Sequence, residues 1–177
     1  MKLAFLDTET TGLKAWNYGK TFHEIIELAL IIVEDGETTF KKSYKFHPRR
    51  IENADLKALE INGYDPKIWE EEALEWTEAS VNNLAKRLEG TVVVGHNIRF
   101  DMDFLKALFR DFGVRYKFPP TLDTRALAKM VWGFSDLRMD YIRENVDNMT
   151  TAGGHRALKD TEDCVFIYSK FSEMMRS

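Results

Sequence analysis

The run Thr91-Val92-Val93-Val94-Gly95 constrains the fold more than any other stretch of the chain. It is short for a helix, and its apolar residues are consecutive rather than alternating. A strand of that kind has no polar face to offer water, so it belongs in the parallel part of a sheet, covered by helices. The remaining elements fit around it. Lys2–Glu9 reads as a first strand, and Ile25–Glu34, rich in Ile, Leu and Val, as a central one. Glu34-Asp35-Gly36-Glu37 reads as a hairpin turn into Thr38–His47, with Phe40, Tyr44 and Phe46 on one face. Thr121-Leu122 is a brief last strand. Helices are expected at Ala54–Ile61, Trp69–Leu88, Thr124–Val131, Asp136–Glu144 and Arg156–Met174, and Phe100, Phe104, Leu105, Leu108, Phe109 and Phe112 mark one face of another. In the Trp69–Leu88 helix, Ala73, Thr77, Val81, Leu84 and Leu88 keep helical spacing, and Glu70, Glu71 and Glu72 fall in the first turn, where the dipole favours them. Leu13–Glu24 and Asn148–Gly154 read as loops. This order predicts a mixed α/β sheet with helices on both faces, and a length of 177 residues predicts one domain.

The first strand ends in two carboxylates. A period of two puts Asp7 and Glu9 on the same side as Leu3 and Phe5, roughly 6–7 Å apart along the strand. Like charges held together are unfavourable unless a cation, a proton or a base neutralises them. A divalent metal does so most economically, and hard oxygen ligands suit Mg²⁺ or Mn²⁺ rather than zinc. Asp101 precedes Phe104 and Leu105 by three and four residues, on the buried side of its helix, with a helix cap as the alternative. Asp160 shares a stripe with Ala157, Cys164, Ile167 and Phe171, where a lone carboxylate needs a ligand or a salt bridge. Asp163, beside that stripe, is expected to be exposed. His155 follows Gly153-Gly154 and, as a histidine, can accept a proton near neutral pH. His96 is expected to hydrogen-bond near a strand end. His23 and His47 read as loop and strand residues, and no trio of histidines has zinc spacing. Asp123 is expected to cap the helix that follows it, with support of the site as the alternative.

Other classes are excluded or disfavoured. Formal net charge is −4, which argues against a basic nucleic-acid coat but leaves room for an enzyme with a local basic rim. A single cysteine, Cys164, excludes an intrachain disulfide and a cysteine-rich zinc site. The first residues are too soon acidic for a signal peptide, and no apolar run approaches ~18 residues. A cytoplasmic place and no membrane partner are therefore expected.

Five segments together resemble the DnaQ-like family of 3′–5′ exonucleases, in its DEDDh branch. They are Phe5-Leu6-Asp7-Thr8-Glu9-Thr10-Thr11-Gly12, Ile26-Glu27-Leu28, His96-Asn97-Ile98-Arg99-Phe100-Asp101, Leu122-Asp123-Thr124, and His155 followed by Ala157 and Asp160. The resemblance spans nearly the whole chain and implies a ribonuclease H-like, five-stranded mixed sheet. It implies that Asp7, Glu9, Asp101 and Asp160 are the acidic ligands of two ions, Mg²⁺ or Mn²⁺, with Asp7 bridging them. Glu9 and Asp160 would complete the ligands of one ion, and Asp101 would support the other. His155 takes the place of the general base; the tyrosine branch would have tyrosine where Arg156 stands. The implied reaction releases nucleoside 5′-monophosphates from a 3′ end, although the ligand set alone would suit an endonuclease.

On the substrate side, the backbone of Thr10, Thr11 and Gly12 is expected near the terminal nucleotide, with Leu13 wedged against its base. Asn97 is a candidate for the sugar or phosphate. Phe100 is a substrate-side candidate for which helix packing is the stronger expectation. Lys14–Glu24 is longer than the usual link in the family. Its Trp16 and Tyr18 are expected to anchor the loop before they stack on a base. Lys14, Lys20, Arg99 and Arg156 would offset the nearby negative charge. Single-stranded DNA is the favoured substrate, with a DNA polymerase or replication complex as a candidate partner. A 3′–5′ exoribonuclease acting on RNA ends or short oligoribonucleotides is the alternative, and an inactive module binding a replisome is a third reading.

Overall fold

The computed structural model describes residues 1–177. Strand β1, Lys2–Thr10, is the middle member of a five-stranded sheet. A two-stranded ribbon, β2 (Trp16–Asn17) and β3 (Lys20–Thr21), precedes β4 (Ile25–Glu34) and β5 (Glu37–Lys45). With β6 (Val92–Gly95) and β7 (Thr121–Asp123), the order across the sheet is β5-β4-β1-β6-β7. Strand β4 is antiparallel to β1, with Asp7 opposite Ala29 and Glu9 opposite Glu27. Intervening helices make β6 and β7 parallel, with Leu3, Ala4 and Phe5 beside Val92, Val93 and Val94. The mixed sheet expected from the valine run is the one observed.

Alternation along β1 sends its side chains into two separate cores. Ala4 and Leu6 pack with Leu28, Leu30 and Val93 against helices α3 (Glu78–Leu88) and α4 (Arg99–Asp111). On the other face, Leu3 and Phe5 pack with Ile31 and Val94 against Cys164 of α7 (Ala157–Met174). Helices α5 (Thr124–Trp132) and α6 (Met139–Asn145) pack on α7 through Leu127, Ile142 and Ile167. No helix is long and apolar enough to cross a membrane.

The first correction concerns helix boundaries. The helix expected over Trp69–Leu88 is two helices, α2 (Pro66–Glu72) and α3, after a short α1 (Leu56–Ile61). Between them the chain is drawn to the sheet edge: the Leu74 amide donates to the Lys45 carbonyl at 2.9 Å, and Leu74 accepts from the His47 amide at 3.0 Å. Trp76 stacks on Phe46 at 3.5 Å, and Thr77 caps α3 reciprocally with Ser80. Pairing with a distant strand and a local cap outweigh helical spacing here. Glu70, Glu71 and Glu72 consequently end α2 instead of starting a helix, and Glu72 is matched by Lys45 at 2.7 Å. Asp136 accepts the Arg138 amide in a bend, so α6 starts at Met139, later than expected.

The second correction is the Leu13–Glu24 loop, which is built around the β2–β3 ribbon. Tyr18 (φ 48°) and Gly19 (φ 74°) turn it in the left-handed region that two-residue hairpins require. The ribbon's base sets the exit of β1. The Thr11 amide donates to the Glu24 carbonyl and the Glu24 amide to the Thr11 hydroxyl, each at 2.9 Å, and the Lys14 amide donates to Nδ1 of a buried His23 at 2.9 Å. Burial lowers the His23 pKa, so the ring stays neutral and accepts that bond. Gly12 lies directly under the imidazole, where a Cβ would come within 2.5–2.7 Å of ring atoms. Gly12→Ala should therefore cost about 1–3 kcal/mol in urea unfolding, and the loss should shrink in a His23→Ala background. Equal losses in both backgrounds would show that the ring is not the obstacle.

Candidate active site

Beyond Phe5, the α7-facing side of β1 carries Asp7 and Glu9. Asp160 is one turn into α7, on the stripe that meets β1 through Cys164. One carboxylate oxygen from each of Asp7, Glu9 and Asp160 lies within 4.8 Å of the others, and all three side chains are half-buried. Asp101 arrives from the opposite face. It sits in the first turn of α4, whose N-cap is Ile98, so it is not a cap. Its Oδ1 accepts from the Thr8 amide at 2.9 Å and the Thr8 hydroxyl at 2.8 Å, and the residue is 2% exposed. The structure thus gathers three of the expected carboxylates and sets the fourth behind the strand, fixed by Thr8.

The electrostatics are those of a site short of positive charge. Burial first, then the charges of Asp101, Asp160 and Glu9, push the Asp7 pKa well above the carboxylate range. Glu9 is pushed up to about 8 by burial and by Asp160 and Glu27, against the pull of Arg156. Asp101 rises to about 7 through burial, opposed by its bonds from Thr8. Asp160 is also raised by burial, against the Arg143 guanidinium.

Glu27 adds to this deficit. It faces Glu9 across the ladder and is 6% exposed. Its Oε1 accepts from the Ser43 hydroxyl at 2.7 Å, while Oε2 is buried without a partner. Three clustered carboxylates beside an orphaned carboxylate oxygen fit a hard divalent cation such as Mg²⁺ or Mn²⁺ and offer no soft donor for zinc. Glu27 was visible in the sequence only as part of a strand; an acid within Ile-Ile-Glu-Leu-Ala-Leu was the signal of its role.

The other face of Asp160 carries the salt bridge anticipated as the alternative. Arg143 of α6 reaches it from a buried position. Asp163, expected to be exposed, is 5% exposed, held by Arg143 at 2.7 Å and Lys159 at 2.5 Å. Those two cations explain its burial. His155 is exposed, with Nε2 3.7 Å from Oδ2 of Asp140, and lines the same cleft as Asp160, Asn97 and His96.

His96 does hydrogen-bond at the strand end. Its Nε2 donates to the Leu137 carbonyl at 2.7 Å, so Nδ1 accepts from the Thr124 hydroxyl at 3.0 Å. Burial lowers its pKa and keeps this neutral form. Asp123 caps α5 through the Arg125 amide and also accepts from the Asn97 amide at 3.1 Å. Both of its anticipated roles coexist, because the cap pins the backbone of an exposed Asn97 beside the cleft.

The Thr10–Leu13 segment divides sharply. Thr10 and Thr11 are buried struts: the Thr10 carbonyl accepts from Asn62 Nδ2 and the Thr11 carbonyl from the Asp55 amide. Gly12 is covered by His23. Leu13 is 77% exposed and is the apolar group this segment offers to solvent. Phe100 is half-buried against Phe104. Trp16 anchors the ribbon beside Arg110, whereas Tyr18 at its tip is 98% exposed and anchors nothing. Arg156 donates to the Asn62 carbonyl and draws down the Glu9 pKa.

The model of an exonuclease family, RNase T, matches residues 4–168. The 3′-5′ exonuclease DinG of Bacillus subtilis (strain 168) is 28% identical over 99% of this chain and 18% of its own length. The PolC-type DNA polymerase III of Thermotoga petrophila is 28% identical over 97% of this chain and 12% of its own. The chain thus spans under a fifth of either relative. Among solved structures, Escherichia coli exonuclease I in complex with a dT13 oligonucleotide superposes with a TM-score of 0.79 at 14% identity. That match covers 97% of this chain and 41% of the other, and it establishes a shared fold.

The raised carboxylates set the pH dependence of stability. Unfolded, Glu9 and Asp101 lose their protons near their ordinary values of 4.5 and 3.8; folded, they keep them to about 8 and about 7. The folded state therefore binds more protons across that window, and stability falls as pH rises through it. In chelator, the melting temperature should drop between about pH 5 and pH 8. Added Mg²⁺ should raise it more at the higher pH, and Glu9→Gln should flatten the slope. A metal-free melting temperature that climbs over this range would contradict the assignment.

Proposed function

The chain belongs to the RNase T exonuclease family, and on that premise we propose that residues 1–177 form one 3′–5′ exonuclease domain acting on single-stranded DNA. It would release nucleoside 5′-monophosphates from the 3′ end. The observation that carries this reading is the Asp7–Glu9–Asp160 cluster, open to a cleft that His155 borders. Asp7, Glu9 and Asp160, with Asp101 behind them, would hold two Mg²⁺ or Mn²⁺ ions. Bound there, the ions supply charge neutralisation at the phosphodiester and acidify the attacking water.

The chain's own residues do the rest. His155, exposed at the rim, takes the proton of that water. Leu13 presents an apolar edge to the terminal base. Asn97, its backbone pinned by Asp123, contacts sugar or phosphate. Thr10, Thr11 and Gly12 shape the ledge that carries Leu13, and Phe100 holds the start of α4 through Phe104. The PolC-type relatives support a DNA polymerase or replication complex as partner, and such partners would put the protein in the cytoplasm.

A time course on matched 5′-labelled single-stranded DNA and RNA tests the reading. Shortening from the 3′ end should require Mg²⁺ or Mn²⁺ and stop in excess chelator. Faster loss of the RNA would replace the DNA assignment with an exoribonuclease; no loss of either strand would leave the binding-module reading. Asp7→Ala should be the most damaging acid change, and a variant within tenfold of wild type would contradict a bridging ligand. His155→Ala should lower the rate by about 10²–10⁴. It should keep the metal-induced rise in melting temperature. If it retains near-full turnover, His155 is not the base.

A further inference from the structure

We propose that Arg143 is a positioning residue for both halves of the reaction, orienting the metal ligand Asp160 and the segment that carries His155. This rests on the exonuclease reading above. Arg143 is 3% exposed, and a guanidinium so buried is tolerated only with its donors matched. Oδ2 of Asp163 accepts from Nε at 2.8 Å and lies 2.7 Å from Nη2, which holds one edge of the guanidinium plane. Asp163 is in turn held by Lys159 at 2.5 Å, so the clamp does not swing.

The two remaining edges of that plane point at the site. Nη2 donates to Oδ1 of Asp160, which fixes the rotation of a carboxylate that belongs to the acidic cluster. Nη1 donates to Oδ1 of Asp140 at 3.0 Å, and Oδ2 of the same carboxylate is 3.7 Å from Nε2 of His155. The guanidinium also meets the loop before the histidine. A Cβ on Gly154 would lie 2.6 Å from Nη1, so only glycine lets the backbone rest on it. His155 follows at once, in the left-handed region at φ 56°, a costly conformation for a residue with a side chain. A brace that only tied α6 to α7 would be complete with Asp163. Arg143 also grips Asp160, Asp140 and the Gly154 backbone.

Arg143→Lys keeps the charge and loses the fork. Mn²⁺ binding to the pure protein, followed by calorimetry without substrate, should weaken by about 10–100-fold in this variant. Gly154→Ala leaves every charge in place and displaces the loop. It should bind Mn²⁺ like wild type, keep its KM, and lose kcat by at least about tenfold. Asp7→Asn separates the two levels of the argument. If it binds Mn²⁺ as wild type does, the reading of the metal site fails; if it loses binding, the site stands and the other variants judge Arg143. Should Arg143→Lys not fold, Gly154→Ala alone decides the histidine arm, and Asp163→Asn, which frees the clamp, decides the metal arm by the same Mn²⁺ titration. Wild-type Mn²⁺ affinity in Arg143→Lys, or in Asp163→Asn where that variant replaces it, together with wild-type kcat in Gly154→Ala, would overturn the proposal and reduce Arg143 to a brace between helices.

Discussion

One carboxylate oxygen from each of Asp7, Glu9 and Asp160 lies within 4.8 Å of the others, an arrangement that is repulsive whenever they are ionised, and much of the surrounding structure serves to hold them there. Strand β1 cannot turn its acids away, because Leu3 and Phe5 on the same face are buried under α7 and Ala4 and Leu6 on the other under α3 and α4. Slipping the register by one residue would bury the acids' neighbours wrongly on both faces. Two hydrophobic layers thus impose a charge arrangement that none of the three side chains would adopt alone.

The two faces of the sheet contribute differently. From the α7 side come carboxylates that open to the cleft; from the α4 side comes Asp101, closed off and bonded to Thr8. Thr8 lies between Asp7 and Glu9, so the residue that fixes Asp101 is the one whose side chain points away from the cluster. The strand therefore passes the position of α4 to its partner face through a single hydroxyl and amide. On the α7 side the matching role falls to Arg143, which answers three carboxylates, Asp140, Asp160 and Asp163, from a buried position.

Periodicity alone made Asp7, Glu9 and Asp160 legible, because each lies on a strand or helix whose apolar stripe is local. The valine run and the Glu34–Glu37 hairpin likewise pointed to a mixed sheet with helices on both faces. Glu27 and Asp163 were not legible in the same way. Their burial depends on partners brought by register and tertiary packing: Ser43 and Glu9 across two strands, Arg143 from another helix. Arg143 itself shows no pattern in α6 that distinguishes it from a solvated arginine. The break at 73–77 has the same origin, since Leu74 is claimed by the end of a strand far earlier in the chain, at Phe46. Thr77 and Ser80 did carry the local mark of a helix start, which the spacing of Val81, Leu84 and Leu88 concealed.

The order β5-β4-β1-β6-β7 also has a consequence in time. The middle strand is made before its neighbours, and β4 and β5 follow soon enough to pair with it on one side. Its other side waits for β6, whose Val92 takes the place beside Leu3. At ordinary rates of synthesis, about 5–20 residues per second, that edge stays open for roughly 5–20 s. The open edge belongs to the most apolar half of β1, a template on which a stray strand can add. The pairing of Val92 with Leu3 and of Val94 with Phe5 is what closes that template.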